Sequence, residues 1–226
     1  MIPLRDENPS TSTPFVTGFI ILVCVVVFLY MFLLPEAQVD RFIASFGTVP
    51  AAVTGQGGEG GLRAYGTLVT SMFLHGGWWH LIGNMLYLWI FGDNVEDLMG
   101  HGGFLIFYLI TGIAAAASHI ALNATSTLPL VGASGAISGV LGGYLVLFPR
   151  ARIISIIPLF YFFRIVAVPA IVFLPLWFLI QFSSGLLSLG VGGSGVAFWA
   201  HVGGFAAGVV LVRVFARRRR GRVSWQ

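Results

Sequence analysis

Long apolar stretches alternate along the chain with short polar or glycine-rich connections. A helix that spans a bilayer needs about 20 mostly apolar residues, and six stretches approach that length: 15–34, 79–98, 104–122, 133–148, 164–182 and 198–215. The second and fourth carry more glycine and polar residues than lipid-facing helices do, which predicts interior positions. The fifth contains Pro169 and Pro175, which remove backbone donors and predict a bent or loosened helix. A lateral gate would need such a helix, although prolines are common in membrane helices generally. Residues 1–14 hold three prolines and several Ser and Thr, and read as a flexible leader. The connection 35–78 has a glycine-rich hinge at 55–61 between apolar flanks, a pattern for a segment lying at the membrane interface. Residues 183–196 are almost all Gly, Ser, Leu and Val, which predicts a mobile flap. No internal repeat or inverted pair of halves is evident.

Composition agrees with this pattern: 57% of residues are hydrophobic, 9% are charged and the mean hydropathy is +0.92. These values exclude an ordinary soluble domain. The expected fold is an all-α polytopic membrane protein, a six-transmembrane-helix bundle. Its parts are a leader at 1–14, an intramembrane domain at 15–216 and a basic tail at 217–226. The first span reads as a retained helix, because Asp6 and Glu7 precede it and no small-x-small cleavage site follows.

All twelve basic residues are arginines. With both termini inside, Arg5, Arg150, Arg152, Arg164, Arg213 and the five arginines between 217 and 222 fall on the cytoplasmic side, and only Arg41 and Arg63 fall outside. The bias of positive charge toward the cytoplasm therefore selects N-in, C-in. The basic tail directly follows a span, so it reads as a topogenic, lipid-binding segment and not as a nucleic-acid site. The lone cysteine, Cys24, lies mid-span, which leaves neither a disulfide nor a cysteine metal site.

The chemistry lies near the starts of the second, fourth and sixth spans. Under the six-span topology these three run in the same direction, so His80, Ser134 and His201 reach a common depth below the outer surface. Ser134, Ser138 and Gly142 share one face of the fourth span, and His201, Gly204 and Gly208 share one face of the sixth. Small faces permit close packing, and close packing would bring the Ser134 hydroxyl to a His201 ring nitrogen. By itself Gly132-Ala133-Ser134-Gly135 is more often a helix-packing pattern with an incidental serine; only its company at matching depth makes it a site.

No acidic residue lies on the fourth or sixth span, so a Ser-His dyad is expected in place of a triad. His80 and Asn84, four apart on one helix face, can donate hydrogen bonds to an oxyanion together with the Ser134 backbone N–H. The structural alternative is that Asn84 binds another helix and His80 a backbone carbonyl. Zinc is not expected among His75, His80, His119 and His201, because no His-Glu-x-x-His motif occurs and no acid is placed to activate a bound water. His75 is expected to hydrogen-bond within its loop, and His101 and His119 to be surface or packing residues. No cofactor is required.

At these residues the chain closely resembles the rhomboid family of intramembrane serine proteases. The matching stretches are His75-Gly-Gly-Trp-Trp-His80-Leu-Ile-Gly-Asn84, Gly132-Ala-Ser134-Gly135-Ala-Ile-Ser-Gly139 and Ala200-His201-Val-Gly-Gly204-Phe-Ala-Ala-Gly208. The resemblance implies Ser134 as nucleophile, His201 as general base, and His80 and Asn84 as oxyanion donors. It also implies transmembrane segments of other proteins as substrates, cut near their outer ends. Two departures stand out: Tyr65-Gly66 occupies the neighbourhood where many members have Trp-Arg, and Ser138 stands where some carry a tyrosine that packs on the histidine. The competing expectation is a catalytically silent relative that binds transmembrane helices. A transporter is disfavoured by the lack of paired intramembrane acids and of repeat symmetry. The partners expected are membrane-protein substrates and the bilayer, in a prokaryotic plasma membrane, with the site opening to the outer face.

Overall fold

A computed structural model describes residues 1–56, 61–159, 162–188 and 197–216. Six long helices occupy the regions of the expected spans: α1 (Phe15–Leu33), α5 (Trp78–Met99), α6 (His101–Leu122), α7 (Ser134–Leu147), α8 (Ala170–Ser188) and α9 (Phe198–Phe215). Among the described residues, α1, α6, α8 and α9 are long and apolar enough to cross a membrane. The fold is that of a mostly helical, multi-pass membrane protein.

The packing follows side-chain size. On α1 the buried residues Thr17, Ile20, Cys24, Phe28 and Met31 recur at helical spacing, while Phe19, Leu22, Val26 and Phe32 stay exposed on the other face. α7 is the central helix, buried continuously from Gly135 to Tyr144. Its glycines let α9 come very close: a methyl group at Gly204 would collide with the Gly135 carbonyl, and one at Gly208 with the Gly139 carbonyl.

Between α1 and α5 lie α2 (Glu36–Phe46), the single turn α3 (Pro50–Val53), α4 (Leu62–Thr70) and a 3-10 turn at Ser71–Phe73. Thr48 ties this region to the chain leading into α7. It pairs with Leu130 through two backbone hydrogen bonds of 3.0 and 2.7 Å, and its hydroxyl donates to the Thr67 carbonyl at 2.8 Å.

The structure corrects three expectations. The bundle is not all-α, because β1 (Ile2–Asp6), β2 (Arg152–Leu159) and β3 (Phe162–Pro169) form an antiparallel sheet in the order β1-β2-β3. The leader is therefore not a loose segment over residues 2–6, since Ile2 pairs with Ile156, and Ile156 in turn with Ile165. The fifth span starts at Ala170 and not at 164, because Phe162–Pro169 is strand. Runs rich in Ile, Val and Phe favour the pleated conformation, and a continuous apolar run conceals which of its residues belong to a strand. Pro169 consequently closes a strand, leaving Pro175 as the proline inside α8.

Residues 183–188 of the expected flap belong to α8, while 189–196 lie outside the described residues. So do 57–60 of the glycine hinge and 217–226 of the basic tail.

The leader beyond β1 is stitched to the last turns of α5. Asn8 donates to Asn94, and Ser12 Oγ donates to Asp97 at 2.6 Å. Glu96, fully buried, accepts from the backbone N–H groups of Val16 and Thr17 at 2.9 and 2.7 Å and from the Thr17 hydroxyl at 2.7 Å. A carboxylate from α5 thus caps the first turn of α1, whose own N-cap residue, Pro14, makes no side-chain cap bond.

Candidate active site

Ser134 is the first residue of α7, and His201 lies in the first turn of α9. The close α7–α9 contact brings them together: His201 Nε2 is 2.8 Å from Ser134 Oγ. The other ring nitrogen, Nδ1, is 2.8 Å from Oε1 of Gln181 on α8. Trp177, one turn earlier on α8, lays its ring beside the imidazole, with centroids 6.0 Å apart and planes tilted by 38°. His201 is therefore held on three sides, by a hydroxyl from α7 and by an amide and an indole from α8.

His80 and Asn84 stand on the first turns of α5 and face the chain entering α7. The Gly76 N–H donates to His80 Nδ1 at 3.4 Å, which leaves the proton of the neutral ring on Nε2. Gly132 shows how near that nitrogen comes: a Cβ there would sit 2.7 Å from His80 Nε2 and 3.7 Å from Asn84 Nδ2. Gly132 also has φ +123°, in the left-handed region, so conformation and space both require glycine. Asn84 is 9% exposed, and its Nδ2 meets no acceptor among the described residues. The Ser134 N–H, at the start of α7, lacks an intrahelical partner and lies at the positive end of the helix dipole. Two side-chain donors thus lie against Gly132, two residues before Ser134, and line the same cavity as its hydroxyl.

The segment carrying Gly132 and Ser134 is anchored from behind. The Gly132 N–H donates to the Ser71 carbonyl at 2.9 Å, and the Thr48 hydroxyl lies 2.9 Å from Ser71 Oγ. The region before α5 is braced by threonine and serine, with Tyr65 exposed on α4. Ser138, one turn into α7, donates to the Ser134 carbonyl at 2.7 Å.

A cavity of about 1380 Å3 opens over these groups. His80, Asn84, Ser134, Gln181 and His201 line it, and so does His119 on α6, which is thereby part of the site wall and not a bystander. His75 is buried, with its ring edge-on to His80 at 5.2 Å. His101 pairs instead with Glu96 at 2.6 Å, at the opposite end of α5 from His80.

The sequence pointed to Ser134, His201, His80 and Asn84, and the structure brings all four to one cavity. It did not point to Gln181, Trp177, Thr48 or Ser71. A glutamine in an otherwise apolar span was the signal available for Gln181, because a polar side chain at that depth needs a partner.

A serine hydroxyl paired with an imidazole, in a cavity that His80 and Asn84 also line, resembles a hydrolase-type site and is set in a helical membrane protein. The Rhomboid domain family matches residues 63–218. The chain belongs to the rhomboid family. It is 37% identical over 92 residues to Rhomboid protein 1, mitochondrial, of Saccharomyces cerevisiae, covering 39% of this chain and 27% of that protein. It is 39% identical over 97 residues to Rhomboid protease GluP of Bacillus subtilis, covering 37% of this chain and 18% of GluP. With human Presenilin-associated rhomboid-like protein, mitochondrial, the identity is 33% over 98 residues, covering 42% and 26%. The chain thus spans well under half the length of these relatives.

Proposed function

We propose that the chain is an intramembrane serine endopeptidase that cleaves transmembrane segments of other membrane proteins with a Ser134–His201 dyad. The observation that carries this reading is the 2.8 Å contact between Ser134 Oγ and His201 Nε2 within the cavity. Ser134 Oγ adds to the scissile carbonyl carbon while its proton passes to His201 Nε2. The new oxyanion accepts hydrogen bonds from His80 Nε2–H, Asn84 Nδ2–H and the Ser134 N–H. Loss of one such donor typically costs about 2.7–4 kcal/mol of transition-state stabilisation. Collapse breaks the C–N bond, and His201 returns its proton to the leaving amine. A water, deprotonated by His201, then attacks the acyl carbon; the ester C–O bond breaks, and His201 returns the proton to Ser134 Oγ as the carboxyl product leaves.

In this reading all six long helices cross the bilayer with both termini in the cytoplasm, and the cavity faces the outer side. The short α7, buried from Gly135 to Tyr144, and the acid-bearing α5 count as spans because partner helices, not lipid, surround much of their length. The competing reading, a silent helix-binding relative, is met by the same experiment. Purified protein in lipid is expected to cleave a helical reporter and to react with a fluorophosphonate probe, and Ser134→Ala or His201→Ala to abolish both while remaining folded. Wild-type cleavage by Ser134→Ala would sink the dyad, and an unlabelled, inactive wild type would favour the binder.

A further inference from the structure

A neutral imidazole accepts a serine proton at Nε2 only when its own proton sits on Nδ1. In serine proteases with a full triad, a carboxylate holds that proton in place. Here the acidic residues lie at 6–7, 36, 40, 59 and 93–97, none of them on α7, α8 or α9. The group that faces His201 Nδ1 is the Gln181 side-chain oxygen, 2.8 Å away.

We propose that Gln181 is the positioning residue of the dyad, the acceptor that keeps the His201 proton on Nδ1 and the lone pair of Nε2 toward Ser134. The inference rests on the protease reading and adds a third member to its machinery. An amide can take this place because it accepts through Oε1 with the same planar geometry as a carboxylate oxygen, and asparagine does so in papain-like Cys-His-Asn sites. It orients the ring and selects the tautomer, but carries no charge to stabilise the imidazolium that forms.

Gln181 does not act alone. It lies four residues after Trp177, on the same face of α8, so one helix supplies both the acceptor for Nδ1 and the surface beside the ring. Trp177 therefore occupies the role left open by Ser138, which points its hydroxyl back along α7 to the Ser134 carbonyl. The ring of His201 is oriented from a neighbouring helix and not from the helix of the nucleophile.

Substitutions at Gln181 test this. The titratable groups that bear on His201 from neighbouring helices are His80 on α5 and His119 on α6, with no acid among them, so a new carboxylate on α8 has a readable effect. Gln181→Leu is expected to lower kcat about 100-fold, the scale of a misplaced catalytic group, with KM changed less than about twofold, and to slow fluorophosphonate labelling of Ser134 in parallel. Gln181→Glu restores the acceptor and is expected to recover activity to within about tenfold of wild type. Its carboxylate favours the imidazolium, so the acidic limb of the kcat/KM profile moves to higher pH. Gln181→Leu with wild-type kcat and labelling rate, measured beside an inactive Ser134→Ala, overturns the role of Gln181 and leaves the protease intact. If Gln181→Leu does not fold, Gln181→Glu decides: an unmoved acidic limb overturns the proposal. If wild type itself neither cleaves nor labels, the protease reading has failed instead.

Discussion

Gly132 is the residue where conformation and chemistry meet most tightly. Its φ of +123° and the 2.7 Å gap that a Cβ would leave to His80 mean that even a methyl group displaces the His80 ring or the chain before Ser134. Gly132→Ala is expected to cut peptidase activity by roughly 100-fold, the scale of a one-ångström misplacement. Its stability should fall by only about 1–2 kcal/mol, the left-handed penalty for an L-residue. A reporter-cleavage assay paired with a thermal melt separates the two; equal and small losses in both would contradict the placement of His80. That glycine was visible in the sequence as part of a motif, whereas the reason for it was not, because the positive φ and the His80 ring arise only when α5 and α7 are brought together. Gln181 was hidden for a related reason. Its partner is twenty residues away on another helix, so no local spacing announces the pair. Asp6 gives a residue-scale effect of a different kind. Burial, aided by the Asp93 charge and opposed by the hydrogen bond from Tyr144, pushes its carboxyl from 3.8 up to about 6. Between those values the folded protein holds a proton that the unfolded chain has released, so stability is highest below the lower value and falls as pH rises through the window. The shift corresponds to about 3 kcal/mol at full strength, and to about 1 kcal/mol after screening of the partly exposed carboxyl. Asp6→Asn keeps an oxygen for Tyr144 and cannot titrate. Its melting temperature should exceed that of wild type at pH 7.5 and match it below pH 4; a variant less stable at pH 7.5 would show that the charge stabilises.

At the scale of elements, the apolar runs located five helices to within a few residues, since α1, α5, α6, α7 and α9 begin and end near the expected limits. The fifth span was displaced because a β-hairpin made of Ile, Val and Phe is as apolar as the helix it feeds, and hydropathy alone does not separate them. β1 was missed because five residues become a strand only when β2 offers an edge. The contact that fixes the leader is also invisible locally: Glu96 on α5 caps α1 across 79 to 80 residues of sequence. An acid near the end of an apolar helix reads as a boundary marker, yet here it is fully buried and supplies the acceptors that the first turn of α1 lacks. Glu96→Ala leaves the N–H groups of Val16 and Thr17 unpaired and removes the partner of His101. The expected loss is about 1–3 kcal/mol, the cost of orphaned buried donors. It should be read as a lower melting temperature with faster proteolysis of the leader, while Ser134 keeps its fluorophosphonate labelling at temperatures where the fold persists. A melt unchanged from wild type would mean that water replaces the carboxylate at no cost.

The whole molecule separates two ends with different duties. At one end, the sheet, the leader and the last turns of α5 form a stitched base carrying Arg5, Arg150, Arg152 and Arg164. At the other, the first turns of α5, α7 and α9 converge on the cavity beside the connection between α6 and α7. The three helices that bear the site residues thus run in the same direction, and their positive dipole ends gather where an oxyanion would form. For the proposed peptidase this arrangement ties the site to topology, because whichever side of the bilayer receives the arginine-rich base dictates which side the cavity faces. Ten of the twelve arginines belong to the leader, the connection between α7 and α8, or the chain from Arg213 onward, which in the proposed topology puts that base on the cytoplasmic side. Single cysteines in a Cys24→Ala background test it, since Cys24 is the only native thiol. Thr127→Cys, in the exposed connection before α7, is expected to react with a membrane-impermeant maleimide on intact bacterial cells. Glu7→Cys, in the exposed leader beside β1, is expected to react only after the cells are permeabilised, and it leaves every arginine in place. The reverse pattern would turn the cavity to the cytoplasm and require substrates to present their scissile segments from that side. Labelling of both positions in intact cells would instead mean that the leader and the site share one face, which the opposed ends of α5 forbid in a spanning helix.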